Sequence, residues 1–563
     1  MSSLSRRWIA AACCLGMPAS AAPGAAAPTF NRDVAPIVFQ HCVSCHHPGG
    51  AGPFALTNYR EVKKHARQIV KVTDAHFMPP WLPRNPGFEG ARGLTEEQIA
   101  TLAAWEQAGA AEGKKEDLTA KAVWIEGWQL GKPDLVVTMP EPYSLAAEGP
   151  DVYRNFVIPS VVPDTRYVRA FELRASTPGA VHHAFVLLDS SGGARELDAR
   201  DPGPGFTGMN AGPETAAPAG TFASWQPGSL PEERPADMAW VLRKKTDLVL
   251  QLHLRPTGKR ENVRASVALY FTDQPPARLP FLLNLRTLAI DIPAGDANYA
   301  VERSYTLPIE GDVLAILPHM HFLGKSAQAW AELPDGTRRE LLDIPRWDFN
   351  WQGAYRYAPP VALPPGTVIR TRLTFDNSKD NPRNPHQPPQ RVQYGLQSSD
   401  EMGECWLQFL PRRAQELPTL QRDFMVKVRL PDKIAFCEWQ LARAPKDAAA
   451  RTELASAYLT EGRRDDAIRE AKQALTDDPR TPRAHLVLGH VYAGNNQLPE
   501  ARTEFEALVA LQPENSDARN NLGYLLLAEG RKDEAIAQLE KALELNPDDT
   551  LARQNLERAR NGK

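Results

Sequence analysis

Of the thirteen histidines, eight lie beyond residue 110, and five of those eight fall in three short segments. His182 and His183 stand side by side in an apolar run, residues 181–188, that reads as a strand. Adjacent strand residues point to opposite faces, so both meet one ion only where the strand end bends or bulges. His253 lies in a run where Leu248, Leu250, Leu252 and Leu254 form one face, and it shares the other face with Val249 and Gln251. His319 and His321 are two residues apart and project from the same face of a strand, so their imidazoles converge without distortion. Met402 stands just ahead of a further apolar strand, residues 406–410. Imidazole with thioether is a ligand set for copper: the soft sulfur stabilises Cu(I), the nitrogens accept Cu(II), and zinc does not select methionine. A blue-copper site needs a thiolate near its histidines, and no cysteine occurs between Cys45 and Cys405.

A second constellation lies near the N-terminus, where Cys42-Val-Ser-Cys45-His46 has the form C-x-x-C-H. In an exported chain the two thiols form thioethers to a haem, and the adjacent histidine reaches its iron. A bare C-x-x-C also fits redox exchange, zinc or an ordinary disulfide. Met78, in Phe77-Met78-Pro79-Pro80-Trp81, is the one methionine between the motif and Met139, which makes it the candidate second axial ligand. Thioether ligation raises a haem potential. Core packing is the other reading of Met78. His41, His47, His65 and His76 are expected around the site or in solvent, since a six-coordinate haem has no place for them.

Several elements must position these residues. At 563 residues the chain predicts three or four domains. Hydrophobic residues at 42% and charged residues at 24% exclude wholesale disorder, and 50 prolines, about 9%, favour loop-rich β structure. A net charge of −3 gives no basic footprint for nucleic acid, and no internal apolar run is long enough to span a membrane. Arg6 and Arg7, an apolar stretch to Met17 and Ala19-Ser20-Ala21 predict a signal peptide over 1–21, hence an exported, periplasmic bacterial protein. Its removal also takes away Cys13 and Cys14. Residues 30–110 have a helical flavour around a proline-rich middle, and residues 124–435 carry alternating runs between Gly/Pro-rich turns, enough for two antiparallel β-sandwiches, 124–280 and 281–435.

From 437 to 563 the chain turns to Ala/Leu/Glu/Arg-rich helix. Pro445, Pro479, Pro513 and Pro547 recur every 34 residues, as do Ala455, Gly489 and Gly523, and Ala467, Ala501 and Ala535. This resembles the tetratricopeptide repeat, three units with 550–560 as a capping helix. Such arrays bind a peptide or protein partner, self-associate, or act as spacers.

The N-terminal zone, with Asp33-Val-Ala-Pro-Ile37 and the Met-Pro-Pro-Trp stretch, resembles a small all-α class I cytochrome c domain. Val181-His-His, Gln251-Leu-His253-Leu, Pro318-His-Met-His321-Phe-Leu-Gly-Lys325 and Ser399-Asp-Glu-Met402 occur in one order. They resemble the copper type II, ascorbate-dependent monooxygenases, the family of peptidylglycine α-hydroxylating and dopamine β-monooxygenase. The resemblance spans about residues 130–430 and implies two jelly-roll-like sandwich domains. It implies that His182, His183 and His253 hold an electron-transfer copper, and that His319, His321 and Met402 hold the oxygen-binding, catalytic copper. In the peptide-amidating member an arginine two residues before H-x-H anchors the substrate carboxylate. Here that position is Leu317, and Glu404 and Trp406 follow the ligand methionine, so peptide amidation is not expected. Glu404 has two readings, a contact to a cationic or hydroxylated substrate and a supporting carboxylate. Cys405 and Cys437 pair as a disulfide in an oxidising compartment or stand as free thiols.

Together these features predict an exported monooxygenase with two copper ions and one covalent c-type haem. It would hydroxylate a small organic substrate with O2, the haem feeding electrons to copper from a separate donor. The alternative is a non-enzymatic haem and copper electron-transfer or scaffold protein that uses its repeats to bind a partner. A reductase would call for a cysteine-ligated copper or a second haem motif, and the sequence has neither.

Overall fold

A computed structural model describes residues 27–561 except 86, 160 and 213. The expected signal peptide over 1–21, with Cys13 and Cys14, lies outside the described residues. The chain divides into two compact units, Met1–Pro79 with Leu94–Trp124, and Pro80–Gly93 with Ile125–Lys563.

The first unit is helical. A π-turn, Phe30–Val34, runs into the helix Ala35–His41, followed by Tyr59–Lys64, Ala66–Asp74 and Glu96–Gln107. The last helix opens on a capping box, in which Thr95 accepts from the Gln98 backbone and Gln98 reaches back to the Thr95 N–H. Phe30, Val34, Val38, Leu56, Leu102 and Trp105 close its core.

In the second unit, residues 135–272 form two antiparallel sheets. One runs Leu135–Thr138, Ala265–Thr272, Arg166–Ala175, Glu232–Glu233, and the other Phe206–Thr207, Val152–Ile158, Asp247–Leu254, Val181–Asp189, Ser224–Trp225. The central strand Asp247–Leu254 sends its four leucines into the core shared with Val168, Phe171, Val267 and Leu269 of the other sheet. Period-two alternation thus leaves His253 and Gln251 on the opposite face. A second sandwich follows. Phe281–Thr287, Gly403–Pro411, Gly311–His319 and Tyr355–Leu363 make one sheet, and Tyr299–Thr306, Val368–Phe375, Gly324–Glu332 and Arg338–Ile344 the other. Leu285, Ile316, Leu407 and Phe409 meet Val301, Ala329, Ile369 and Leu373 between them.

Two expectations are corrected here. The N-terminal domain expected over 30–110 is interrupted, because residues 80–93 fold with the second unit. Phe88 joins the core of the second sandwich, with Trp81 and Leu82 packed against it, and burial of these apolar groups decides where the segment goes. The second correction concerns Cys405 and Cys437, which are free thiols and not a disulfide. Cys405 is buried in the second sandwich core and Cys437 in the helical core that follows it.

The C-terminal helices pair as Ala448–Glu461 with Arg464–Asp477, Pro482–Gly494 with Leu498–Leu511, and Ser516–Ala528 with Lys532–Leu545, closed by Thr550–Asn561. The small residues of the 34-residue register stand where the helices of a pair touch. A Cβ on Gly489 would lie 2.8 Å from the Phe505 ring, and one on Gly523 2.6 Å from Leu539 Cγ. Gly489→Val should therefore lower the stability of the array by about 1–3 kcal/mol, the usual range for overpacking. Thermal unfolding followed by circular dichroism checks this, and an unchanged transition would contradict the packing.

Candidate metal centres

The first cluster depends on an irregularity in one ladder. His183 pairs directly with His253, but Leu254 pairs with Val181, so His182 is the extra residue of a bulge. A bulge re-aims the side chain it adds, which lets two adjacent histidines face one point. The rings of His182, His183 and His253 stand 4.8–5.2 Å apart between centroids. One nitrogen from each lies within 4.8 Å of the others. His253 Nε2 is 2.8 Å from Asp151 Oδ2, so the carboxylate accepts its proton-bearing nitrogen and Nδ1 is left as the lone-pair side. Tyr153 stacks on His253 at 4.1 Å.

Burial sets the protonation state. It pulls His182 down to about 3, with the neighbouring His253 adding to the shift. His183 is driven well below the ordinary imidazole range by the same two causes. Neutral imidazole is the form that binds a metal. His182 Nε2 and His253 Nδ1 are buried and have no hydrogen-bond partner. Two orphaned nitrogens, on His182 and His253, in a cluster of three converging imidazoles fit a copper ion.

The second cluster sits at the end of the strand Gly311–His319. The His319 and His321 rings are 5.2 Å apart and nearly perpendicular. Gln352 Oε1 accepts from His319 Nδ1 at 2.6 Å, and the Asp400 carbonyl accepts from His321 Nδ1 at 3.2 Å. Both bonds fix the tautomer that leaves Nε2 as the lone-pair nitrogen. Burial takes His321 down to about 3 and also lowers His319, against the opposing influence of Glu404.

Met402, 9% exposed, immediately precedes the strand Gly403–Pro411, in which Glu404 lies opposite His319. What ties it to the histidines is Glu401, fully buried. Its Oε1 accepts from the backbone N–H of His321 and, at 2.9 Å, of Met402, and its Oε2 accepts from Leu323 at 3.0 Å. One carboxylate therefore pins the main chain beside two of the three expected ligands. Desolvation pushes its own titration up to about 8 against the pull of those N–H groups. The two clusters share a neighbour. Phe349, on the short turn Phe349–Trp351, has its ring 5.2 Å from His182 and 5.7 Å from His321.

Glu404 is committed elsewhere, accepting from Trp406 Nε1 at 2.8 Å and lying 3.7 Å from Arg286. Leu317 faces Trp406 across the ladder.

In the helical unit Cys42 caps the helix Ala35–His41, and Cys45 and His46 turn back to bond the Cys42 carbonyl at 3.2 and 2.9 Å. Both thiols are free and half-buried. His46 Nδ1 donates to the Phe54 carbonyl at 2.9 Å, which leaves Nε2 as its lone-pair nitrogen. Gly52 lies so close that a Cβ there would fall 2.6 Å from the ring. Two free thiols beside a histidine in this tautomer fit covalent haem. Met78 follows the helix Ala66–Asp74 with its N–H on the Val72 carbonyl at 3.1 Å. His41 is buried and 3.4 Å from Gln98, His47 stacks on Trp124, and His65 stacks on Phe54.

Sequence reasoning missed Asp151, Gln352, Phe349 and the role of Glu401. Glu401 was adjacent to a predicted ligand, whereas the other three carry no local signal. Groups that hold ligands in place typically cost 10- to 100-fold in metal affinity when removed. Glu401→Ala should weaken copper at the second cluster by that order and leave the first intact, and Asp151→Ala should do the reverse. Copper titration against a competing chelator reads both, and equal losses at both sites in either variant would contradict the assignment.

Residues 452–504 and 486–550 match the tetratricopeptide repeat family model, so the C-terminal array is made of these repeats. No curated protein matches the chain. Similar solved structures include MamA, at 24% identity over 24% of this chain and 78% of that one, with a TM-score of 0.23. YrrB, titled a TPR protein with an unusual peptide-binding site, is 23% identical over 24% and 69%, with a TM-score of 0.23. The first TPR of Spaghetti (RPAP3), bound to an HSP90 peptide, is 23% identical over 20% and 91%, with a TM-score of 0.20. Among the described residues no helix is long and apolar enough to cross a membrane.

Proposed function

We propose that the chain is an exported, copper-dependent monooxygenase that hydroxylates a C–H bond of a small organic substrate with O2. Electrons would come from a covalent c-type haem held by Cys42, Cys45 and His46, with Met78 as its second axial ligand. The observation that carries this reading is the pair of histidine clusters, with His182 Nε2 and His253 Nδ1 of the first buried and unpaired. Bound at these residues, haem and copper supply one-electron redox chemistry, and copper at His319, His321 and Met402 the place where O2 is reduced.

The overall reaction consumes two electrons and two protons, puts one oxygen atom into the C–H bond and releases the other as water. The protein's own groups prepare for it. His182, His183 and His253 offer nitrogen lone pairs because burial keeps His182 and His183 uncharged and Asp151 holds the far nitrogen of His253. Gln352 and the Asp400 carbonyl aim the second pair of imidazoles. Phe349, itself buried, packs beside both clusters. Glu401 holds the main chain of His321 and Met402 to one carboxylate.

The repeat array at 452–550 favours a second reading, a non-enzymatic haem and copper protein that recruits a partner through its repeats. The two readings part on electron flow followed by oxygen use. With O2 and ascorbate excluded, reduced haem in the copper-loaded protein should be reoxidised by the copper, and this should be lost in His182→Ala/His253→Ala. Haem that stays reduced for minutes beside Cu(II) would sink the relay. Relay without O2 consumption across a panel of small substrates would favour the scaffold.

A further inference from the structure

The helix Leu430–Arg443 stands just ahead of the matched repeats, which begin at 452, and belongs with both sandwiches to the second compact unit. Leu430, Ile434 and Cys437 enter the core of the repeat array. Leu420 and Phe424, just before the helix, enter the core of the second sandwich. Joining the array to the sandwich asks for no more than these apolar groups. The helix nevertheless makes two further sets of contacts, and both lead to the second cluster.

The first set runs through Phe436. Its ring lies 5.6 Å from that of Tyr394, edge to face, and stacks on Trp439 at 5.7 Å. Arg443 lies 4.0 Å over the Trp439 ring and donates at 2.6 Å to Asp291, in the short strand Asp291–Ile292 that pairs with Val392–Gln393. Tyr394 is bridged to Glu401. The Glu401 N–H donates to the Gln393 carbonyl at 3.0 Å, and its carbonyl accepts from the Gly395 N–H at 3.3 Å. Residues 394–401 thus form a loop closed at its base, where Phe436 packs. Glu401 and Asp400, at that base, are the groups that hold the His321 main chain and ring.

The second set runs through Asp432, which is buried. Its carboxylate accepts from the Leu288 N–H at 3.2 Å and from Arg286 Nε at 3.3 Å. Arg286 lies 3.7 Å from Glu404, which stands opposite His319 in the ladder. One helix therefore reaches the supports of both histidines by two separate routes.

We propose that the helix Leu430–Arg443 is a positioning element of the second metal centre, holding the chain around Glu401 and Glu404 through Phe436 and Asp432, and so ties the repeat array to that centre. The inference rests on the reading of His319 and His321 as copper ligands. The test compares full-length, haem-loaded wild type with Phe436→Ala/Asp432→Ala. Hydrogen exchange without copper follows segments 319–323 and 393–402, which carry the His321, Leu323 and Met402 amides that Glu401 accepts. Copper titration against a competing chelator and electron paramagnetic resonance of Cu(II) then read each cluster.

The double variant should exchange faster in both segments, bind copper at the second cluster about tenfold more weakly and show a changed Cu(II) signal there. The first cluster should be unchanged. Phe436→Tyr, which keeps the ring, should behave as wild type in every measurement. Wild-type affinity and signal at the second cluster in the double variant would overturn the proposal, and so would equal losses at both clusters. Should that variant fail to accumulate, Phe436→Ala alone leaves the Asp432 bonds in place and is read in the same way. His319→Ala/His321→Ala separates the two levels. Undiminished copper there overturns the ligand reading and the helix's role with it, whereas lost copper there with wild-type binding in the helix variant overturns the helix's role alone.

Discussion

A buried polar atom without a hydrogen-bond partner costs about 1–3 kcal/mol, and the first histidine cluster holds two, His182 Nε2 and His253 Nδ1. A fold tolerates such nitrogens only where the surrounding structure leaves them no choice. Here the ladder between Val181–Asp189 and Asp247–Leu254 is fixed by four leucines packed into the sandwich core. The bulge at His182 follows from a register that the core will not give up. Desolvation then keeps His182 and His183 neutral, because a proton on either would face both burial and its neighbours. A soft, redox-active cation would supply the partner that such nitrogens lack.

The second cluster solves the same problem by a different route. Its histidines need no bulge, because the strand ends at His319 and His321 lies just beyond it. Their ring orientations come instead from Gln352 and the Asp400 carbonyl, and their backbone from Glu401. Phe349 then ties the two solutions together in space. His253, His319 and His321 are thus each held by a group from outside the strands, Asp151, Gln352 and the Asp400 carbonyl, while the strands supply the rigid base, the usual division of labour between scaffold and loop.

Legibility in the sequence followed the range of the interaction involved. The His319/His321 pair, the Cys42/Cys45/His46 motif and the 34-residue repeat are local patterns, and each was readable from spacing. The repeat is the part that a family model also matches. The need for a bulge at His182 was readable, because strand geometry demands it. Asp151 lies 102 residues from His253, and Gln352 lies 33 from His319, so neither could be found without the fold. The excursion of residues 80–93 was hidden for a related reason. Their prolines read as a loop inside one domain, while the burial of Phe88 that decides their place depends on Tyr355 and Tyr357 far along the chain. For Cys405 and Cys437 residue type left a disulfide and free thiols both open, and their burial in two separate cores decides for free thiols.

The claim on which everything functional rests is that both histidine clusters hold copper in a chain that also carries covalent haem. The most direct test is the copper-to-haem ratio of protein matured in a haem-attaching periplasm, by elemental analysis beside the absorbance spectrum. The account predicts two coppers per covalent haem, falling to one in a His319→Ala/His321→Ala variant. One copper or none in the copper-replete wild type would contradict it.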